Sequence, residues 1–156
     1  MPRTQNSETT MAAAWFEKAT ERPIVMHALL FGGAVHLDIL RDPQRSIENP
    51  IRLFHKVQTM RLLKESLQNS EKIPLDDIIL AVLALGTNEI ETMANSSLKD
   101  SMHSPFNSPL ASVQWIDVYG RISPVHAHTV AMRSLVARRG GLEKIELLGL
   151  AEILYL

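Results

Sequence analysis

Several residue types and patterns that would define a functional class are missing from this chain of 156 residues. It has no cysteine, which excludes disulfides, thiolate zinc sites and a cysteine nucleophile within it, and which fits a reducing compartment. Its basic residues form no stripe and its net charge is −1, so no overall field attracts nucleic acid or an anionic membrane. The longest uncharged run, from Pro23 to Leu37, is shorter than the roughly 20 residues of a membrane span.

What remains is typical of one globular domain. Hydrophobic residues make up 46% and charged residues 21%, which provides enough apolar material for a core. The N-terminus is polar and lacks the pattern of a signal peptide. We expect residues 1–10 to be a polar tail and residues 11–156 to form one domain. Residues 149–156 form an apolar helical pattern without a stop signal, so we expect this domain to be incomplete at its C-terminus.

Helix signals recur along the chain, and strand alternation is missing. Asn49-Pro50 has the sequence of a cap followed by a first-turn proline, and Ser123-Pro124 repeats it. The fold class we predict is all-α, an irregular array of about six to seven helices with a long polar loop near residues 94–109. The predicted helices cover 8–20, 23–40, 50–68, 74–93, 110–120, 123–139 and 147–156.

The apolar patterns of these helices differ. The 23–40 helix is apolar nearly all round, as in a central helix packed on several sides, and the 74–93 helix is mostly apolar too. Four aromatic residues are expected to anchor the core: Trp15, Phe16, Trp115 and Tyr119. The 50–68 helix has an apolar stripe, with its basic residues mostly elsewhere, made of Leu53, Phe54, Val57, Met60, Leu63 and Leu67.

No residue pattern indicates catalysis, a cofactor or a metal. No histidine pair has the helical i, i+4 spacing of a metal clamp, whether His27 with His36 or His126 with His128. Asp76 and Asp77 are adjacent, so their side chains diverge, and both suit the first turn of a helix. The site residues predicted are therefore none for catalysis, none for a cofactor and none for a metal.

Two glycine pairs are candidates for phosphate loops, and neither has the required strand-to-helix setting. Gly32-Gly33 lies inside a predicted helix, where glycine indicates a close packing contact. Gly140-Gly141 follows Arg138-Arg139 at a helix end, where glycine provides the left-handed turn and arginine complements the dipole. Contact of these arginines with phosphate or an acidic partner is the alternative interpretation.

The order of these segments resembles the fungal-specific transcription factor domain, the regulatory region of fungal zinc-cluster regulators. Residues 23–40, with Met26-His27-Ala28-Leu29-Leu30, are similar to its first core helix, and residues 49–67 are similar to the second. Residues 78–86 resemble the third, and Arg139-Gly140-Gly141-Leu142 resembles the family's Arg-Gly-Gly helix end. The resemblance covers about residues 12–156.

The resemblance implies a regulatory and interaction domain in the nucleus, and no enzyme. Protein partners or self-association are expected, and a small-molecule effector is an option that the resemblance leaves open. The family's zinc cluster needs six cysteines and this chain has none, so sequence-specific DNA binding by this chain is not expected.

Two other functions stay open on the residues alone. One is a small helical module, unrelated to transcription, that binds a protein or holds a ligand between the 23–40 and 74–93 helices. An enzyme would need titrating side chains that converge near His27, His36 or His126, and the spacing of these residues gives no sign of that.

Overall fold

The computed structural model describes residues 10–41, 49–68, 74–88 and 126–155, and in these ranges the chain is helical without a β-strand. This confirms the all-α prediction. The described helices, in chain order, are α1 (Met11–Glu21), α2 (Pro23–Arg41), α3 (Pro50–Gln68), α4 (Leu75–Asn88), α5 (His126–Arg139) and α6 (Leu150–Tyr155), with a 3₁₀ turn at Leu142–Lys144 between the last two.

Polar caps and prolines begin the first three helices. The Thr10 hydroxyl accepts the Ala13 amide at 3.2 Å at the start of α1. Arg22 is extended, as a residue before proline tends to be, and separates α1 from α2. Asn49 Oδ1 accepts the Ile51 and Arg52 amides at 2.9 and 3.4 Å, so the predicted cap of α3 is present.

The end of α5 has the geometry that its glycines predict. The Gly141 amide donates to the Val136 carbonyl and the Gly140 amide donates to Ala137, which is the hydrogen-bond pattern of a Schellman motif. Both glycines have positive φ, 100° and 108°, a region that side chains other than glycine rarely adopt. The predicted Ser123-Pro124 start of this helix, the 94–109 loop and the 110–120 helix lie outside the described residues.

Helix α4 is the centre of the array. Every residue from Asp76 to Gly86 is buried. One side of the core joins α4 to Ile24, Val25 and Ala28 of α2 and to Leu135 of α5, and a second cluster joins Leu85 to Phe31, Val35 and Ile39. Burying side chains of this size stabilises the fold by about 1.5–3 kcal/mol each, so α4 is the main source of stability.

Helix α2 is central on one side only, which corrects the prediction that it is packed all round. Met26, Leu30, Leu37 and Leu40 are exposed, and a Cβ added at Gly33 would meet nothing within 4 Å. Gly33 is therefore no packing contact either. By length and composition alone, α2 is long and apolar enough to cross a membrane, a test that the core helix of a soluble protein also passes. The side of α2 opposite its exposed residues packs on α1, α3 and α4.

The predicted aromatic anchors have different outcomes. Trp15 packs against the core and its indole N–H donates to the Leu148 carbonyl at 2.8 Å. Phe16 is 73% exposed, so its prediction as an anchor is wrong: it points away from the face that α1 turns toward the core. Trp115 and Tyr119 lie outside the described residues.

Candidate interaction surface

The first turn of α4 is joined to the end of α5 by Asp76. Its Oδ1 accepts from Arg139 Nε at 2.8 Å, and its Oδ2 accepts the Glu146 and Leu147 amides at 2.8 and 3.1 Å. Arg139 Nη2 also lies 3.1 Å from Glu146 Oε1. Hydrogen bonds to both carboxylates hold the pKa of Arg139 above its ordinary value. Arg139 is thus engaged by the chain's own carboxylates, whereas Arg138 is exposed.

Asp77 faces a different neighbour, the end of α1. Its carboxylate is fully buried, with Lys18 Nζ 3.8 Å from Oδ1 and Arg22 Nε 3.8 Å from Oδ2. These distances are too long for hydrogen bonds, and neither oxygen has one. Burial raises the pKa of Asp77, the two cations oppose the rise, and Asp76 adds to it. The two adjacent aspartates therefore serve two joints and do not converge on one substrate.

A half-open cavity of about 610 Å³ lies at this end of the molecule. It is lined by α1, the start of α4 and residues 146–148, and includes Lys18, Asp77 and Arg139. Between α2 and α4, where the sequence leaves a ligand pocket as an alternative, the facing side chains of the described residues are buried against one another. The charged groups of the cavity are paired mainly with one another. We therefore interpret the cavity as part of the contact between α1, the start of α4 and the end of α5.

Two histidines that the sequence does not pair come together between α2 and α3. His27 Nδ1 and His55 Nδ1 are 2.9 Å apart, and the Phe54 ring lies edge-on to His27 with centroids 5.8 Å apart. At that distance one nitrogen must be unprotonated to accept the bond. Burial, then His55 and then Arg61, lower the pKa of His27. The residues are 28 apart in sequence, so spacing could not reveal the pair.

Among the residues that the structure describes, the other histidines add no recognisable metal site. Within the described ranges, no three side chains of the types that ligate metals are grouped so as to hold an ion. His128 lies at the crossing of α5 and α4, where its Cβ would be 3.0 Å from a Cβ on Gly86.

Helix α3 has the reverse of the expected orientation. An apolar stripe normally faces the core, and here Leu53, Phe54, Val57, Met60 and Leu67 are each between 47% and 54% exposed. Leu63 alone, of the predicted stripe, packs against the core. The positions that α3 buries most fully are Thr59 and Ser66.

Small hydroxyl groups make this orientation possible. Thr59 Oγ1 donates to the His55 carbonyl at 2.8 Å and Ser66 Oγ to the Leu62 carbonyl at 2.6 Å, both within α3. Each hydroxyl is therefore satisfied without a partner on another helix. Arg52 and Asn49 bind Asp38 of α2 at 3.0 and 2.6 Å and fix the start of α3 against α2. The apolar stripe is left toward solvent.

We call the solvent-facing residues Leu53, Val57, Met60, Lys64 and Leu67 the α3 seam. Their spacing of four and three residues repeats the heptad pattern of helices that pack along a narrow line. Met26, Leu30, Gly33, Leu37 and Leu40 follow the same spacing on the exposed side of α2. Apolar side chains regularly arranged on an exposed face mark a surface suited to binding another helix.

The described helices thus form an all-α array. Its charged side chains link one helix to another, and several of its apolar side chains are exposed to solvent. The chain belongs to the fungal specific transcription factor domain family, whose model matches residues 4–143. No curated protein and no solved structure is significantly similar to the chain.

Family membership associates the chain with transcription regulation, and the family is not known as an enzymatic one. Such regulators generally act in the nucleus. The match includes Arg139-Gly140-Gly141, and this motif has a structural role in the fold. The glycines end α5, and the arginine binds Asp76 at the start of α4.

Proposed function

We propose that this chain is the regulatory interaction domain of a nuclear transcription regulator, and that it acts by binding protein. The observation that carries the proposal is the orientation of α3, which directs Leu53, Val57 and Met60 to solvent while its hydroxyls face the core. Sequence-specific DNA binding is no part of the proposed role, because the chain has no cysteine for a zinc cluster and a net charge of −1.

A tethered-reporter assay tests this function. The chain is fused to an unrelated DNA-binding module, and transcription from a reporter with the matching site is measured. We expect the fusion to change reporter output, and we expect Val57→Asp/Met60→Asp to remove that effect, because a charge on a packing seam opposes burial in an interface. Arg138→Ala, an exposed change elsewhere, is the matched control and should keep it.

Two measurements accompany the assay. Circular dichroism should show the same helical melting for the Val57→Asp/Met60→Asp variant as for the parent, because both side chains are half exposed. Duplex DNA should bind the chain only weakly and with strong salt sensitivity. A seam variant as active as the parent, or sequence-selective DNA retention at physiological salt, would contradict the proposal.

A further inference from the structure

We propose that α1 is a strap that opens and closes over the start of α4, turning about Arg22, while the other described helices stay folded. Helix α1 forms one wall of the cavity of about 610 Å³, and the start of α4 with residues 146–148 forms the other. Opening of α1 therefore gives solvent access to that end of α4 without unfolding of the core. The inference is independent of the α3 seam and goes beyond the proposed function.

Apolar burial attaches α1 only weakly. None of its residues is buried, and Met11 and Phe16 are 42% and 73% exposed. Trp15 and Ala19 pack against the core but remain partly exposed. In α4, by contrast, every residue from Asp76 to Gly86 is buried. Because resistance to local opening follows the apolar surface that a segment buries, α1 should open far more readily than α4.

Among the described residues, three polar contacts link α1 and its C-cap, Arg22, to the far side of the cavity. The Trp15 indole donates to the Leu148 carbonyl at 2.8 Å. Lys18 and Arg22 each lie 3.8 Å from the Asp77 carboxylate, and at those distances neither oxygen of Asp77 gains a hydrogen bond. A buried carboxylate without hydrogen bonds disfavours the closed state, since water solvates it once α1 moves away.

Helix α1 faces the start of α4 across the cavity instead of packing closely on it. Ala14 and Lys18 line the cavity on one side, and Leu75 and Leu148 line it on the other. Of the described helices, it is α2 on which α1 packs closely. Solvent can therefore reach the inner side of α1 through the half-open cavity without first disturbing the core.

The junction between α1 and α2 provides the hinge. The Arg22 amide donates to the Lys18 carbonyl and completes α1, whereas the Met26 amide donates to the Arg22 carbonyl and begins α2. Arg22 itself is extended, and Pro23 has no amide hydrogen that could bond back to α1. A change in φ or ψ of Arg22 therefore breaks no backbone hydrogen bond of either helix, as a hinge residue requires.

Amide hydrogen exchange of the full chain, followed by mass spectrometry, tests the strap. Helix α1 has 11 residues, too few to remain helical by itself, so its amides exchange whenever it leaves the array. We expect the hydrogen-bonded amides of α1 to exchange about 100-fold faster than those of α4, and still more slowly than in an unfolded peptide.

A core substitution separates local opening from global unfolding. Leu80 of α4 is 2% exposed, so Leu80→Ala destabilises the whole fold. In this variant the amides of α4 should exchange at least about 30-fold faster, because they exchange through global unfolding. The amides of α1 should keep their rate within about twofold, because their opening leaves the core intact.

A second pair of variants tests how α1 is held. Trp15→Phe removes the donor to the Leu148 carbonyl and should speed exchange in α1 about three- to tenfold, with α4 unchanged. Phe16→Leu changes the neighbouring residue of the same helix, which is exposed, and is the matched control. It should leave the exchange of both helices unchanged.

Four results would overturn the inference. Equal exchange rates in α1 and α4, or an acceleration of α1 by Leu80→Ala as large as that of α4, would show that α1 unfolds with the core as one unit. Exchange of α1 at the rate of an unfolded peptide would show that it does not dock at all. An unchanged rate of α1 in Trp15→Phe would show that the contact with Leu148 does not hold the closed state.

Discussion

Two neighbouring carboxylates at the start of α4 differ in their hydrogen bonds because their surroundings differ. Asp76 accepts three hydrogen bonds, whereas Asp77 accepts none although it is the more deeply buried of the two. Both suit the positive end of a helix dipole, and this is all that the sequence indicates. Arg139, 63 residues from Asp76, could not be identified as its partner from spacing.

Asp77 is expected to make the chain less stable as pH rises. Its pKa in the folded state is raised above the model-peptide value of 3.8, so the folded state holds the proton more tightly than the unfolded one. Stability must then fall as pH increases from 3.8 through the raised pKa. Asp77→Asn keeps the shape and should flatten this part of a plot of melting temperature against pH. An unchanged slope in the variant would show that folding does not raise the pKa of Asp77.

His27 should produce a dependence of the opposite sign. Its folded-state pKa lies below 6.5, so the unfolded chain takes up the proton first and stability falls as pH drops below 6.5 toward the folded value. His27→Gln should remove this decline, because the glutamine amide can still bond to His55 and does not titrate. Chemical unfolding at a series of pH values measures it, and a decline of equal size in the variant would show that folding does not lower the pKa of His27.

At the scale of elements, two helical glycines offer a matched comparison. Gly33 has open space where a Cβ would be, whereas a Cβ on Gly86 would lie 3.0 Å from the Cβ of His128. Alanine stabilises a helix interior by about 0.5–1 kcal/mol relative to glycine. We therefore expect Gly33→Ala to raise the free energy of unfolding by that amount and Gly86→Ala to lower it, because α5 must move away from α4. Equal gains in both variants would mean that the helices are not in close contact there.

The sequence predicts the ends of these elements better than their orientation. Caps act within a few residues, so Asn49-Pro50 and Gly140-Gly141 specify a helix start and a helix end locally. Which face of α3 turns inward depends on Asp38 fixing Arg52 and on hydroxyls that Thr59 and Ser66 satisfy within their own helix. Periodicity detects the apolar stripe, but it carries no information about these contacts. The interaction surface is for that reason visible in the structure and was missed in the sequence.

Across the array as a whole, the described helices have a buried centre and an apolar side that is exposed, and two leucines distinguish them. Leu80 in α4 is 2% exposed and Leu53 in α3 is 54% exposed. Leu80→Ala should lower the free energy of unfolding by about 2–5 kcal/mol, through lost burial and the cavity that remains. Leu53→Ala should change it by less than about 0.5 kcal/mol, as surface substitutions usually do. Urea unfolding at two protein concentrations measures both.

The two concentrations make the Leu53 comparison informative about what lies on the α3 seam. A large cost that grows with protein concentration would show that a second copy buries Leu53, since dimer stability depends on concentration. A large cost independent of concentration would show that the chain itself covers the seam. Only a small cost at both concentrations agrees with a seam kept open for a partner, and it would make Leu53→Ala a variant that changes binding without changing the fold.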